Sequence, residues 1–474
     1  MEWASRKMWQ SFRTGVRDLL STGWAHRRRR VADPELGDHS PGDPRRLLSL
    51  AFQSLIAGAG SGLLAVAFRL LLRRADGLRE SLLLWAHGKH FVGFLLTVGV
   101  AAIFTAIAAV LVRGLAPDSA GSGIPQVELA LKGKRAGDPL RVIPVKFVGG
   151  LLSISTGLAL GREGPSVQMG ACIASLCGRL FRRSDVECRA LLAAGAAAGL
   201  ATAFNAPVAG AVFVLEEIER RFDLLVIITT LGASVSAISV ARLFLGQAPD
   251  FRVGPLQYAG FAVIPAYLAL GVFVGCIGVA YNGAILGAMG VTARWRCPVE
   301  LTAALVGGAV GVLAWFAPDL VGGGDAITQR LLDGTGVRFM LGIAFVVRFV
   351  LGPVSYSART PGGLFAPMLV IGSQSGLLFG SIFRHWFPAV ITNHPNQLVI
   401  VGIAAIFAAV VRAPITGIIL AIELTGSSTL LLPMLAACFT AMLVPTLLRN
   451  APIYDSLEER IAAKSSVQVT ESLA

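Results

Sequence analysis

Charge is what this sequence has least of. Asp, Glu, Lys and Arg make up 15% of its 474 residues, against about 25% in soluble domains. With 54% hydrophobic residues and a mean hydropathy of +0.69, that shortage excludes an ordinary soluble domain and implies a membrane protein. Metal-ligand spacing is missing too. Cys172, Cys177, Cys188, Cys276, Cys297 and Cys438 form no ligand pattern and read as small buried hydrophobes. The six histidines are scattered, with no HExxH among them, so nothing calls for a metal, a cofactor or an enzymatic reaction. A cleavable signal is also lacking, because Met1 to Pro44 is polar and arginine-rich. Residues 1–45 read instead as a cytoplasmic surface helix followed by a Pro/Asp/Gly-containing linker.

The charge that is present has a pattern. The net charge of +13 could suggest nucleic acid, but the basic residues sit in short clusters between apolar runs: Arg27–Arg30, Lys132–Arg135 and Arg182–Arg183. That distribution fits the positive-inside rule, so both termini and these loops are expected in the cytoplasm and no nucleic-acid partner is. Apolar runs cover about 47–72, 91–113, 142–160, 190–215, 224–245, 257–289, 300–317, 338–355, 363–382, 397–423 and 428–447. Several can span a bilayer, which takes roughly 20 residues. Others are short or broken by Gly and Pro, which predicts re-entrant or half-length helices. GAGSG at 58–62 lacks the strand–turn–helix context of a nucleotide site, and its small residues suit close helix packing.

The chain also repeats itself. GAAAGLATAFNAPVAGAVFVLE at 195–216 matches GIAAIFAAVVRAPITGIILAIE at 402–423 with an offset of 207. Upstream, GREGPSVQMG at 161–170 aligns with GLFAPMLVIG at 363–372 at an offset of 202. Two membrane halves with interrupted apolar segments at matching places are typical of transporters with midplane sites. Broken helices are costly in lipid unless they line a polar cavity. An odd number of spans between the copies would make the repeat inverted.

Three Gly/Pro motifs open apolar helical runs: GSGIP at 121–125, GREGP at 161–165 and GGLFAP at 362–367. Proline suits a first helical turn, and glycine lets backbone approach a ligand closely. Free N–H groups and the helix dipole there favour anions. Three such starts converging inside a bilayer would hold a small anion. Ser122 adds a hydroxyl, and the amides around Leu364 and Phe365 add donors. Partial charges of this kind permit conduction, where a full charge in a dry site would hold the ion too tightly.

GSGIPQ, GREGPSVQ, GGLFAP and a tyrosine after the last span resemble the CLC family of chloride channels and chloride/proton antiporters, over about residues 47–455. The resemblance implies an all-α membrane protein, a two-fold inverted repeat of tilted, partly discontinuous helices, forming a homodimer. The halves would run from about 47 to 250 and from about 255 to 455, within a domain of 46–455 followed by a short cytoplasmic tail, 456–474. It implies that Ser122 and Tyr454 coordinate a central chloride, with backbone amides from Leu364 and Phe365. The selectivity motifs would comprise Gly121, Gly123, Ile124 and Pro125; Gly161, Arg162, Gly164 and Pro165; and Gly362, Gly363, Ala366 and Pro367.

The same resemblance makes Glu163 the gate, a carboxylate that mimics chloride and vacates the site when protonated. Glu217 matches the second glutamate that passes protons from the cytoplasm in antiporters. The alternative is that Glu216 and Glu217 are membrane-end acids paired with Arg220–Arg221. Glu216 aligns with Glu423 in the repeat and reads as scaffold, whereas Glu217 stands opposite Leu424. Glu128 and Lys146 are expected to be buried, paired and structural. Gln126 stands where some antiporters carry Glu and receives no proton role. The chain ends twenty residues after Tyr454, which leaves no room for paired cytoplasmic regulatory domains and favours a prokaryotic origin. The expectation is a homodimeric proton/chloride antiporter of the inner (plasma) membrane, with chloride and protons as its only ligands. A passive voltage- or pH-gated CLC channel is the alternative. The fluoride-selective branch fits Ser122 and GREGP less well, and an organic-solute carrier would need side-chain donors that are missing.

Overall fold

The computed structural model describes residues 44–473 except 135–136, 255, 257–259, 296, 335–339 and 387–394. The predicted surface helix before residue 44, with Arg27–Arg30, lies outside the described residues, as does Arg135. The described residues form helices and no named strand. In the first half these are α1 (Pro44–His87), α2 (His90–Leu115), α3 (Ile124–Leu131), α4 (Pro139–Ser155), α5 (Glu163–Leu180), α6 (Asp185–Phe204), α7 (Pro207–Phe213, continued by a π-helical turn, Val214–Ile218) and α8 (Leu224–Leu245). The second half repeats the order as α9 (Ile264–Arg294), α10 (Val299–Phe316), α11 (Asp325–Leu332), α12 (Leu341–Ser357), α13 (Phe365–Ile382), α14 (Pro395–Val410), α15 (Pro414–Thr425) and α16 (Leu431–Leu447). A last helix, α17 (Ile453–Leu473), has no counterpart.

The interruptions fall at equivalent places. The apolar run 190–215 breaks at Asn205 and 397–423 breaks at Arg412, both in left-handed conformation with φ of 53° and 75°. Each break is followed two residues later by a proline in the first turn of the next helix. Proline cannot continue the preceding helix but suits the start of a new one, so one long hydrophobic run becomes two helices.

Inversion is visible in the hydrogen bonds. Gly161 and Gly363, equivalent in the repeat, form an antiparallel bridge, each N–H donating to the other's carbonyl at 2.8 and 2.7 Å. Glu216 accepts from the N–H groups of Ile415 and Thr416 at 3.0 and 2.7 Å. Its equivalent Glu423 accepts from Val208 and Ala209 at 3.1 and 2.8 Å. Each acid caps the helix start of the other half, where free N–H groups favour a carboxylate. Glu216 is thus scaffold, as the repeat suggested.

Among the described residues, seven helices are long and apolar enough to cross a membrane, and α12, α14, α15 and α16 are shorter apolar helices. On the lipid-facing helices, packing turns small residues inward and large ones outward. On α2, Gly93, Thr97, Ala101, Thr105 and Ala108 are buried, while Leu95, Ile103, Ile107 and Val110 are exposed. Lipid solvates large apolar side chains as well as a core does, so close backbone approach decides what faces inward. GAGSG does this work: a Cβ at Gly58 would stand 2.3 Å from the Ala233 carbonyl oxygen, and one at Gly62 would stand 2.7 Å from that of Ala237. The cysteines depart from expectation. Cys438 is buried, Cys172, Cys177 and Cys188 are half-buried, and Cys276 and Cys297 are exposed. A membrane protein can place a small apolar residue on its outside at little cost.

Candidate functional site

The three Gly/Pro motifs meet. Ile124 and Pro125 open α3, Glu163–Gly164–Pro165 open α5, and Phe365–Ala366–Pro367 open α13. The loops before them are stitched together: Gly121 N–H donates to Thr360 O at 3.2 Å and Gly362 N–H to Gly121 O at 3.0 Å, beside the Gly161–Gly363 pair. Gly123 adopts φ 95°, a conformation in which a side chain is strained. At Gly164 a Cβ would stand 2.5 Å from both the carbonyl oxygen and the Oγ of Ser122, so glycine is what brings the gate motif against the serine loop. Lys146 is fully buried, with Nζ donating to Ser119 O at 3.1 Å and Gly121 O at 2.8 Å. The expected charge pairing is not what holds it; two carbonyls solvate it directly beneath the GSGIP loop.

At the centre, the Glu163 side chain is 1% exposed. Its carboxylate lies beside the start of α13, within electrostatic reach of the backbone N–H groups of its own residue and of Ala366. The expectation named the amides of Leu364 and Phe365; Leu364 is the N-cap and Phe365 the first residue of that helix, and Ala366 follows them. The second oxygen, Oε2, has no donor, and neither Ser122 Oγ nor Tyr454 Oη has a hydrogen-bond partner. Both residues are buried and their hydroxyls lie within electrostatic reach of each other, of Tyr356 and of Glu163. Three unsatisfied buried polar atoms around one spot are costly and mark a place built for a ligand. Tyr356, whose hydroxyl accepts from Ser122 N–H at 3.3 Å, was not found in the sequence. The walls are dry: Phe365 packs against Tyr454, Phe407 and Phe213 with ring centroids 5.8, 4.8 and 5.2 Å apart.

Near α17, Glu217 occupies the π-helical turn, 2% exposed, with Arg220 at 3.5 Å. A cavity of about 350 Å³ reaches it, lined by Glu216, Glu217, Arg220, Arg412, Ile415 and Pro452 among others. Glu128 is buried as expected, but it is not paired with a cation. Neither of its oxygens has a donor, and its nearest acidic neighbours are Asp455 and Glu458. Gln126 bonds the Ala120 carbonyl at 2.9 Å.

Next to Glu163, Arg162 is clamped. It donates to Ala203 O at 2.9 Å, Asp325 at 2.8 Å and Asp250 at 3.3 Å, and Asp250 is held in turn by Arg69 at 2.5 Å. This chain of alternating charges fixes the residue beside the gate. Asp250 and Arg69 carry no motif. Asp325 could have been found, because GGGD at 322–325 stands in the second half where GSGI at 121–124 stands in the first.

Residues 104–446 match the family model described as voltage gated chloride channel. The chain is 36% identical over 427 residues to the H(+)/Cl(-) exchange transporter ClcA of Vibrio cholerae serotype O1, covering 89% of this chain and 91% of that one. It is 37% identical over 437 residues to the ClcA of Cronobacter sakazakii, covering 89% and 91%. Among solved structures, that of a slow cyanobacterial Cl-/H+ antiporter superposes with a TM-score of 0.84 at 32% identity, over 88% of this chain and 99% of that one. A CLC-type fluoride/proton antiporter shares the fold, with a TM-score of 0.72 at 23% identity. The converging helix starts, the inverted repeat and these matches lead to one conclusion: the chain belongs to the voltage gated chloride channel family, the CLC family.

Proposed function

We propose that this protein exchanges chloride for protons across a membrane. The observation that carries the reading is the position of Glu163: a buried carboxylate stands beside the start of α13, within electrostatic reach of its amides, where a transported anion would otherwise sit. When ionised, Glu163 competes with chloride for those N–H groups. When protonated it loses its negative charge and its claim on the helix dipole, and the site opens to the anion. The same group therefore gates chloride and carries a proton.

Ser122 Oγ and Tyr454 Oη, buried and unpartnered, are the hydroxyl donors for the bound chloride, and the amides of the GGLFAP turn, Leu364 to Ala366, complete its shell. The ion meets only partial charges, so it is bound and still released. Glu217, buried on the inner side and reached from a cavity, takes protons from the cytoplasm and hands them toward Glu163. A second buried acid has no use in a passive channel, and this favours exchange. No cofactor is needed beyond the two ions.

We place the protein in the inner (plasma) membrane with cytoplasmic termini, because Lys132, Arg182 and Arg183 lie in basic clusters between apolar helices and Lys132 contacts Glu458 of α17. A homodimer follows from the family. The decisive experiment measures chloride and proton fluxes together on purified protein in liposomes. Uphill proton movement driven by a chloride gradient is expected; chloride flux without it would leave a passive channel.

A further inference from the structure

A cluster of acids on the inner side is not used by the mechanism above. Glu128 of α3 and Asp455 and Glu458 of α17 each bring a carboxylate oxygen to within 4.8 Å of the others. Glu128 is 1% exposed and has no donor on either oxygen. Burial falls off outward: the side chains of Glu458 and Asp455 are 10% and 28% exposed. Helix α17 packs on α3, and α3 packs on the π-helical turn that carries Glu217. Glu217 lies within electrostatic reach of both Glu128 and Asp455. Glu458 follows Tyr454 by four residues on α17, which puts it on the same helix face as the anion-site hydroxyl.

The charges around the cluster do not balance. Lys132 contacts Glu458 at 2.5 Å, and Arg220 contacts Asp455 and Glu217. Arg412 acts on Glu217 from farther away, and Glu216 is occupied as a cap. Four carboxylates thus face two contacting cations, and Glu128 is left with none. Carboxylates this close in a poorly solvated place cannot all be ionised. They share protons instead. A divalent cation is the rival occupant, but Lys132 and Arg220 already hold the outer oxygens it would need.

We propose that Glu458, Asp455 and Glu128 form a proton-loading relay that delivers protons from the cytoplasmic face to Glu217. A proton from water binds an oxygen of Glu458 or Asp455 at the exposed end and passes to Glu128. It then passes to Glu217. Each transfer breaks one O–H bond and forms another, and leaves the donor ionised for the next proton. The inference rests on the exchange reading and adds its entry route. The competing route is direct, through the cavity lined by Glu217 and Arg220.

Paired flux measurements in liposomes on Glu128→Gln, Glu458→Gln and Glu458→Asp decide between the routes. In the two Gln variants the proton flux per chloride should fall about 100-fold or more, the order expected for loss of a positioned proton carrier, while Glu458→Asp keeps most of it. An unchanged flux ratio in both Gln variants would overturn the relay in favour of the cavity. Equal loss of both fluxes would overturn it too, because it would make the cluster a packing feature. Zinc or calcium binding, seen by calorimetry and removed by Glu128→Gln, would make it a cation site instead. Wild-type protein that moves no protons sinks the exchange reading together with the relay; wild-type exchange with an unaltered ratio in the variants sinks the relay alone.

Discussion

The two halves of this molecule share a backbone plan and differ in what they put on it. Helices α3 and α11 both follow glycines of positive φ, and the cations Lys146 and Arg348 occupy equivalent positions on α4 and α12. Lys146 holds the carbonyls of Ser119 and Gly121; Arg348 holds those of Leu320, Gly322 and Gly323. The caps Glu216 and Glu423 are exchanged between the halves. Yet Ser122 faces Gly323 across the repeat, Glu163 faces Phe365 and Glu217 faces Leu424. Backbone carbonyls, helix starts and buried cations are common property, because every broken helix in a membrane must have its polar ends satisfied. The acids Glu163 and Glu217 and the Ser122 hydroxyl come from the first half, while the hydroxyls of Tyr356 and Tyr454 come from α12 and α17. Duplication supplied the scaffold, and asymmetric substitution supplied the transport site.

Substitutions that make the halves more alike should break function in a graded way. The largest effect is expected for Glu163→Gln, which removes the one acid at the gate. Proton flux should fall to background, by at least about 100-fold, while chloride flux persists. Wild-type chloride flux should rise as pH falls, because protonation neutralises the competing carboxylate; in Glu163→Gln it should be flat with pH. Paired fluxes across a pH series check both statements.

Glu217→Gln brings its position closer to Leu424. Proton flux should again fall to background, but the chloride flux should keep its acid dependence, because Glu163 is intact. Loss of that dependence would place the titrating gate at Glu217 instead.

The buried cations test whether a shared scaffold residue has taken on a local task. Lys146→Met and Arg348→Met should both lower the unfolding temperature in detergent, because each takes a charged donor away from buried loop carbonyls, although Gly121 O keeps its bond from Gly362 N–H. Only Lys146→Met, beneath the Ser122 loop, should also weaken chloride binding several-fold, as read by calorimetry. The smallest effects are expected at the caps. Glu216→Gln and Glu423→Gln should each cost about 1–3 kcal/mol, the order for charged hydrogen bonds, with no change in the flux ratio. Glu216→Gln should cost more, since Glu216 also accepts from Thr416 Oγ at 2.7 Å.

Much of this was legible in the sequence, because local pattern carries local structure. The apolar runs, the half-length helices and the three motif-led helix starts all follow from composition, proline and glycine. The repeat separated Glu216 from Glu217 before any contact was known. Long-range pairing was harder to see. Lys146 was expected beside a counter-charge and Glu128 beside a cation, but one is solvated by carbonyls and the other sits among acids. Tyr356, Arg69 and Asp250 lie far in sequence from the groups they touch and carry no motif of their own.

The sequence by itself determined a membrane-embedded, duplicated chain with an acid in an anion-binding turn, because hydrophobic runs, breaks and internal similarity are properties of order along the chain. Only the tertiary structure decided that the Gly161 and Gly363 turns pair antiparallel, that the Glu163 carboxylate stands beside the start of α13, and that α17 brings Asp455 and Glu458 to Glu128. Those facts depend on which ends of distant helices meet. That meeting is set by close packing of small residues and by the need to satisfy every buried polar group at once.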